Sequence, residues 1–210
     1  GKSILITCEQ GDGDNIQFIR FIKELYDMGA KIYIETEPSL KRLYRESFSS
    51  DIEVATNKEN LLSPPQTDYW ISILSLMRVL KINYSNLPIM YEYLTAGKDS
   101  IKEWKKRLPK RSNKLRVGFC WKGRTREIPF HYMTDLIKNN PQYEWINLCG
   151  KSSNEEILEL INCGATSYFQ HITDWKDTAG LVEHIDIILT VDTGLCHLAG
   201  AMGKPTLLML

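Results

Sequence analysis

Short apolar runs of strand length, each followed by a segment of helical period, recur along this 210-residue chain. That alternation restricts the chain to α/β folds in which helices cover a parallel sheet. Ile4, Leu5 and Ile6 lie in a run over 3–9; after Gln10-Gly11-Asp12-Gly13-Asp14, residues Ile16, Phe18, Ile19, Ile22, Leu25 and Tyr26 follow at helical spacing, and Gly29 stands where that helix would end. Residues 31–37 read as a second strand, Pro38 opens a short helix to about Arg45, 52–54 is a third strand, and 68–76 is a strand passing into a loop. The order then restarts: strand 115–121, basic loop 122–126, a helix over 132–137, strand 144–148, helices 154–161 and 177–184, the β-branched strand 185–191, a helix over 193–202 closed by Gly203, and a strand over 206–210. Two such series, each about 100 residues long, predict two Rossmann-like parallel-sheet domains facing each other across a cleft. They fall at 1–112 and 113–210, with the second stopping short of its closing helices.

Charge narrows the partners. Lys+Arg and Asp+Glu both number 26, a formal net charge of zero, so no overall positive field draws nucleic acid or an anionic membrane. The neutrality is segregated, however. Eight basic residues lie between Lys102 and Arg116 against one acid, Glu103. This block reads as a solvated helix and linker at the domain boundary; the alternative is a positive wall beside an anion-binding cleft. The five cysteines are odd in number and far apart, which suits reduced thiols in the cytoplasm rather than a disulfide framework or zinc site. His131, His171 and His184 show no metal spacing, no metal site is expected, and no apolar run has the length of a transmembrane helix. Tyr69, Trp70 and Trp104 read as core or hinge residues rather than sugar platforms.

Sheets of this kind bind ligands at the carboxyl ends of their strands, which singles out the loops 10–15, 121–127 and 192–197. The last is the most telling. Strand 185–191 gives way at Asp192-Thr193-Gly194 to a helix, so the amides of its first turn lack intrahelical acceptors and, with the helix dipole, attract phosphate. Gly194 permits close approach of a ligand to the backbone. Asp192 can accept from sugar hydroxyls and His197 can donate to a phosphate or sugar oxygen; the alternative is that Asp192 is an N-cap and His197 a core histidine.

The string from Asp177 to Pro205, including Val191-Asp192-Thr193-Gly194-Leu195-Cys196-His197-Leu198-Ala199-Gly200-Ala201, closely resembles the nucleotide-sugar-binding region of the heptosyltransferases (glycosyltransferase family 9) and their tetratricopeptide-repeat-fused relatives. Glu9-Gln10-Gly11-Asp12-Gly13-Asp14-Asn15-Ile16-Gln17-Phe18-Ile19-Arg20 resembles the family's first loop, and Val117-Gly118-Phe119-Cys120-Trp121-Lys122-Gly123-Arg124-Thr125-Arg126-Glu127-Ile128-Pro129 its Val-Gly-x-x-Trp-x-Gly strand and loop. The resemblance implies a GT-B fold that moves a sugar from a nucleotide diphosphate sugar to an acceptor hydroxyl, with inversion and with neither metal nor cofactor. It implies Asp14 as general base, with Gly13, Asn15 and Gln17 on the acceptor side; Asp12, where relatives often have an apolar residue, is the competing carboxylate, and Asp14 as a helix N-cap is the structural alternative. On the donor side it implies Arg126, with Lys122 and Arg124 as second candidates, beside Asp192, Thr193, Gly194 and His197. The acceptor would be a glycan, a lipid-linked sugar or a protein, and a repeat domain would precede this segment in a longer chain. Two other classes fit the same residues: a GT-B module that binds nucleotide or sugar without transferring it, and a sugar-nucleotide epimerase.

Overall fold

The computed structural model describes residues 1–63, 65–88 and 92–210, leaving aside the side chains of 60–62. The first part runs β1 (Ser3–Thr7), α1 (Asp12–Phe18), a 3₁₀ turn (Ile19–Phe21), α2 (Ile22–Asp27), β2 (Lys31–Thr36), α3 (Pro38–Ser47), β3 (Glu53–Thr56), α4 (Asn57–Leu62), β4 (Tyr69–Ser72), a 3₁₀ turn (Ile73–Ser75) and α5 (Leu76–Val79). After α6 (Lys98–Arg107) come β5 (Arg116–Cys120), α7 (Phe130–Asn139), β6 (Glu144–Asn147), α8 (Asn154–Asn162), β7 (Ala165–Ser167), a 3₁₀ turn (Phe169–His171), α9 (Trp175–Val182), β8 (Ile187–Val191), α10 (Gly194–Ala201) and β9 (Thr206–Met209).

Two sheets result, ordered β3-β2-β1-β4 and β7-β6-β5-β8-β9, and every strand pairing in them is parallel. Both reverse strand order beside their first strand, between β1 and β4 and between β5 and β8, which is where such sheets open a ligand crevice. The central strand β5 is buried along its whole length. Its near-continuous apolar run follows from cover on both faces, and Gly118 is where the side chains of Leu148, Ile185 and Ile188 close in.

The helix after β1 starts at Asp12, earlier than the apolar period indicates. Gly11 holds the N-cap in extended backbone, Asp12 and Asp14 occupy the first turn, and the Gly11 amide donates to Asp14 Oδ2 at 3.3 Å. Carboxylates at that end complement the helix dipole. Helix α2 ends as expected before Gly29, whose φ is 80°. Two elements were not legible from apolar period: α4, opened by a reciprocal cap between Thr56 and Glu59, and the three-residue β7 after Gly164. The segment 68–76 becomes β4 followed by helical turns rather than a loop.

The basic block does not border the crevice. Arg111 pairs with Asp186, and Arg116 donates from Nε to Glu144 Oε2 at 2.7 Å and from Nη2 to the Pro109 carbonyl at 2.7 Å. These pairs sit where β5, β6 and β8 begin, at the opposite ends of the strands from the crevice, so the positive-wall alternative is corrected. The lysines of α6 face solvent, while its Trp104 is 1% exposed, packs over Gly180 and meets the Tyr168 ring edge-on with centroids 5.9 Å apart. His184 Nε2 donates to the Ile101 carbonyl at 2.8 Å. Helix α6 therefore packs on α9, with the second sheet. Trp104 is core, whereas Tyr69 and Trp70 are 58% and 65% exposed on the edge strand β4; for those two the core reading is corrected, because consecutive strand residues point to opposite faces and the start of this edge strand is covered on neither.

Candidate functional site

The loops after β1, β5, β6 and β8 converge on one cleft of about 490 Å³, lined by Gly11–Asp14, Lys122–Thr125, Gly150, Lys151, Trp175 and Asp192–Leu195 with His197. That volume lies within the range of small-molecule sites. A larger cavity, about 780 Å³, lies at the outer edge of the first sheet beside β3, away from both switch points.

Helix α10 begins at Gly194 with Thr193 as N-cap in extended backbone, and no side chain caps it. The Thr193 hydroxyl instead lies 3.2 Å from the Thr190 hydroxyl. The first-turn amides are thereby left for a ligand. The opposing wall comes close. A Cβ built on Gly13 would lie 3.1 Å from Gly194 Cα and 3.1 Å from His197 Cδ2. Asp192 is half exposed, with Oδ1 4.0 Å from His197 Nε2, so neither side chain is committed to the other.

Loop 122–127 is a hook. Gly123 N donates to the Arg126 carbonyl at 2.7 Å, Lys122 bridges to Glu127, and Ile128 N returns to the Trp121 carbonyl at 2.8 Å. A Cβ on Gly123 would approach Thr193 Cγ2 to 2.7 Å, which is why this position takes glycine. Arg124 and Thr125 line the cleft, but Arg126 is exposed outside it. Lys122 lines it with its charge already engaged, since Nζ lies 2.7 and 2.6 Å from the two Glu156 oxygens. Among the described residues, Arg124 is thus the cation of the hook that both lines the cleft and lacks a side-chain partner. Beneath it, the Cys120 and Cys149 thiols both donate to the Lys122 carbonyl, at 3.3 and 3.5 Å. The contact between the two thiols sets them apart, pulling Cys149 below its ordinary value and pushing Cys120 above it.

On the acceptor side the residues separate. Asp14 and Gly13 face the cleft. Asn15 is fully buried and accepts from the Glu9 amide at 3.0 Å, so it braces the loop instead of reaching an acceptor. Gln17 lies outside the cleft lining, its carbonyl receiving Arg20 Nε at 3.0 Å. Asp12 and Asp14 form an Asp-x-Asp pair in sequence, the spacing of a cation-holding carboxylate pair, yet each meets protein donors: Asp12 Oδ2 accepts from Trp175 Nε1 at 2.6 Å and from the Ser39 hydroxyl at 3.0 Å, and Asp14 Oδ2 takes the Gly11 amide. Among the described residues no group of three His, Cys, Asp or Glu is arranged to hold a metal ion. Trp175, which lines the cleft against Gly194, had no local signal; only tertiary pairing with Asp12 brings it there.

Two parallel sheets with facing switch points and one shared cleft define the GT-B class of fold. Residues 129–209 match the model of glycosyltransferase family 9 (heptosyltransferase). The fold is similar to that of the glycosyl transferase family 9 protein from Veillonella parvula, with a TM-score of 0.76 at 11% identity over 99% of this chain and 80% of that one. It is also similar to E. coli heptosyltransferase WaaC, solved with ADP-2-deoxy-2-fluoro heptose, with a TM-score of 0.65 at 12% identity over 98% of this chain and 88% of that one. Among curated proteins, Protein FlbA of Caulobacter vibrioides is 24% identical over the whole chain, which spans 39% of FlbA's length. No helix among the described residues is long and apolar enough to cross a membrane.

Proposed function

We propose that this segment is the core of an inverting, metal-independent glycosyltransferase that uses a nucleotide diphosphate sugar. One observation carries the reading: the uncapped N-terminus of α10 and the Asp14 carboxylate lie on facing walls of one cleft. The diphosphate sits on the amides of Thr193, Gly194 and Leu195, with Arg124 beside it; Asp192 and His197 take sugar hydroxyls. Asp14 accepts the proton of the acceptor hydroxyl as its oxygen attacks the anomeric carbon. The bond to the diphosphate breaks with its electron pair, and the departing charge is met by amides and guanidinium rather than a metal ion. Single displacement inverts the anomeric centre. ADP-sugars are the first donors to try, since WaaC is solved with one. Five free cysteines support a cytoplasmic site of action.

The test is turnover of ADP-, UDP- and GDP-sugars with glycan and lipid-linked acceptors in the presence of EDTA, with product configuration read by NMR. An inverted anomer formed in EDTA supports the reading. Retention of configuration, a metal requirement, or saturable nucleotide binding with no transfer overturns it, the last in favour of a binding module.

A further inference from the structure

Three consecutive residues at the start of α9 each grip a different residue of the first half. Asp174, which caps α9 and is 8% exposed at its side chain, meets Arg42 Nη1 at 3.0 Å; Trp175 donates from its indole nitrogen to Asp12 Oδ2 at 2.6 Å; Lys176 Nζ reaches Glu46 Oε2 at 2.7 Å. Arg42 and Glu46 lie four apart on one face of α3, so the outer two pairs align α3 with α9, while the middle one reaches past them into the first loop. Asp12 Oδ2 also takes the Ser39 hydroxyl, at 3.0 Å, which ties the loop to α3 as well. On its other side the Trp175 ring lies against Gly194, where a Cβ would come within 2.7 Å of its Cη2. The indole thus touches both walls of the cleft at once.

We infer that Asp12 and Trp175 form an interdomain latch, and that Trp175 is a positioning residue that fixes Asp14 relative to the N-terminus of α10. The inference rests on the transferase reading only for its effect on turnover; the latch itself is a statement about the two halves. It also resolves the rivalry between the two carboxylates. Asp12 serves as an acceptor for indole and hydroxyl, and its charge is not required, because an amide oxygen accepts the same bonds. Asp14, whose one hydrogen bond among the described residues is the long one from the Gly11 amide at 3.3 Å, is left to act on the acceptor. Trp175→Phe keeps an aromatic side chain and removes the indole donor. Asp12→Ala removes the acceptor, and Asp12→Asn restores it.

The experiment is amide hydrogen exchange on the ligand-free chain, read at 11–15 and 193–196, alongside turnover and its pH profile. Trp175→Phe and Asp12→Ala are expected to speed exchange in both segments about tenfold, with no further gain in the double variant. Each should lower kcat with little change in donor KM, and Asp12→Asn should return exchange, kcat and the acid limb of the pH profile to within about twofold of the parent. Unchanged exchange in Trp175→Phe overturns the latch. So does an Asp12→Asn variant as impaired as Asp12→Ala, since that assigns the role to the charge. If the parent chain transfers no sugar, the exchange measurements still decide the latch independently of the function proposed above.

Discussion

Gly13 and Gly194 meet across the cleft: a Cβ on Gly13 would stand 3.1 Å from Gly194 Cα, and one on Gly194 would press into the Trp175 ring at 2.7 and 2.9 Å. Two glycines with ordinary negative-φ backbone are thus required by proximity, not conformation. The first turns of α1 and α10 approach this closely because both are pared to the backbone at their point of contact.

Gly194→Ala is expected to cost about 1–3 kcal/mol, the usual range for forcing an added methyl into packed surroundings, because Trp175 is an aromatic ring held at its indole nitrogen and cannot swing aside freely. Gly13→Ala, which meets backbone and the His197 ring at 3.1 Å, should cost less in stability. Chemical denaturation of both variants checks the order; equal stability would mean that the walls separate readily.

The two cations of the hook that line the cleft, Lys122 and Arg124, should behave differently. Lys122→Ala removes the partner of Glu156, which also caps α8 through the Ser153 amide at 2.7 Å, so the loss should appear as about 1 kcal/mol of stability with nucleotide affinity nearly intact. Arg124→Ala should leave stability unchanged and weaken ADP about tenfold, the worth of one charge-assisted hydrogen bond. Calorimetric titration with ADP separates the two.

Acid should unfold the chain from the strand-start end of the second sheet. Burial works against ionisation of Glu144 and Asp186, but hydrogen bonds from Arg116 and Ser112 to the first and from Arg111 to the second hold both carboxyls below their ordinary values. A depressed folded pKa means stability that is complete above the unfolded value, about 4, and is lost as pH falls through the folded one. The melting temperature should therefore hold from pH 7 to 5 and fall below about pH 4. Arg116→Ala, which removes a 4%-exposed guanidinium from the Glu144 carboxylate and the Pro109 carbonyl, should cost about 3 kcal/mol and shift the acid transition to higher pH.

Much of the fold was legible because its determinants are local. Apolar runs such as 185–191 and 115–121 are long and β-branched or aromatic, glycines 29 and 203 do close their helices at positive φ, and the strand–loop–helix junction at 191–194 stands as read. The α/β class and the convergence of loops 10–15, 121–127 and 192–197 follow from these. What was not legible depends on partners distant in sequence. Arg126 and Lys122 look alike in a basic loop, but the hook turns Arg126 outward and Glu156, 34 residues on, claims Lys122. Asn15 resembles a ligand residue until the Glu9 amide and its burial are known. Charge density at 102–116 reads as a solvated helix and linker, with a cleft wall as the alternative; that Asp186 and Glu144 hold two of those arginines at the far ends of the strands depends on residues far along the chain.

The most direct test is Asp14→Asn, measured in the same preparation for turnover and for ADP binding. Asn keeps an acceptor for the Gly11 amide, so α1 retains its first turn. With Asp14 as the base, kcat should fall by about 10²–10⁴, the range for losing general-base catalysis, while ADP affinity stays within about twofold. Undiminished turnover in Asp14→Asn would contradict the account.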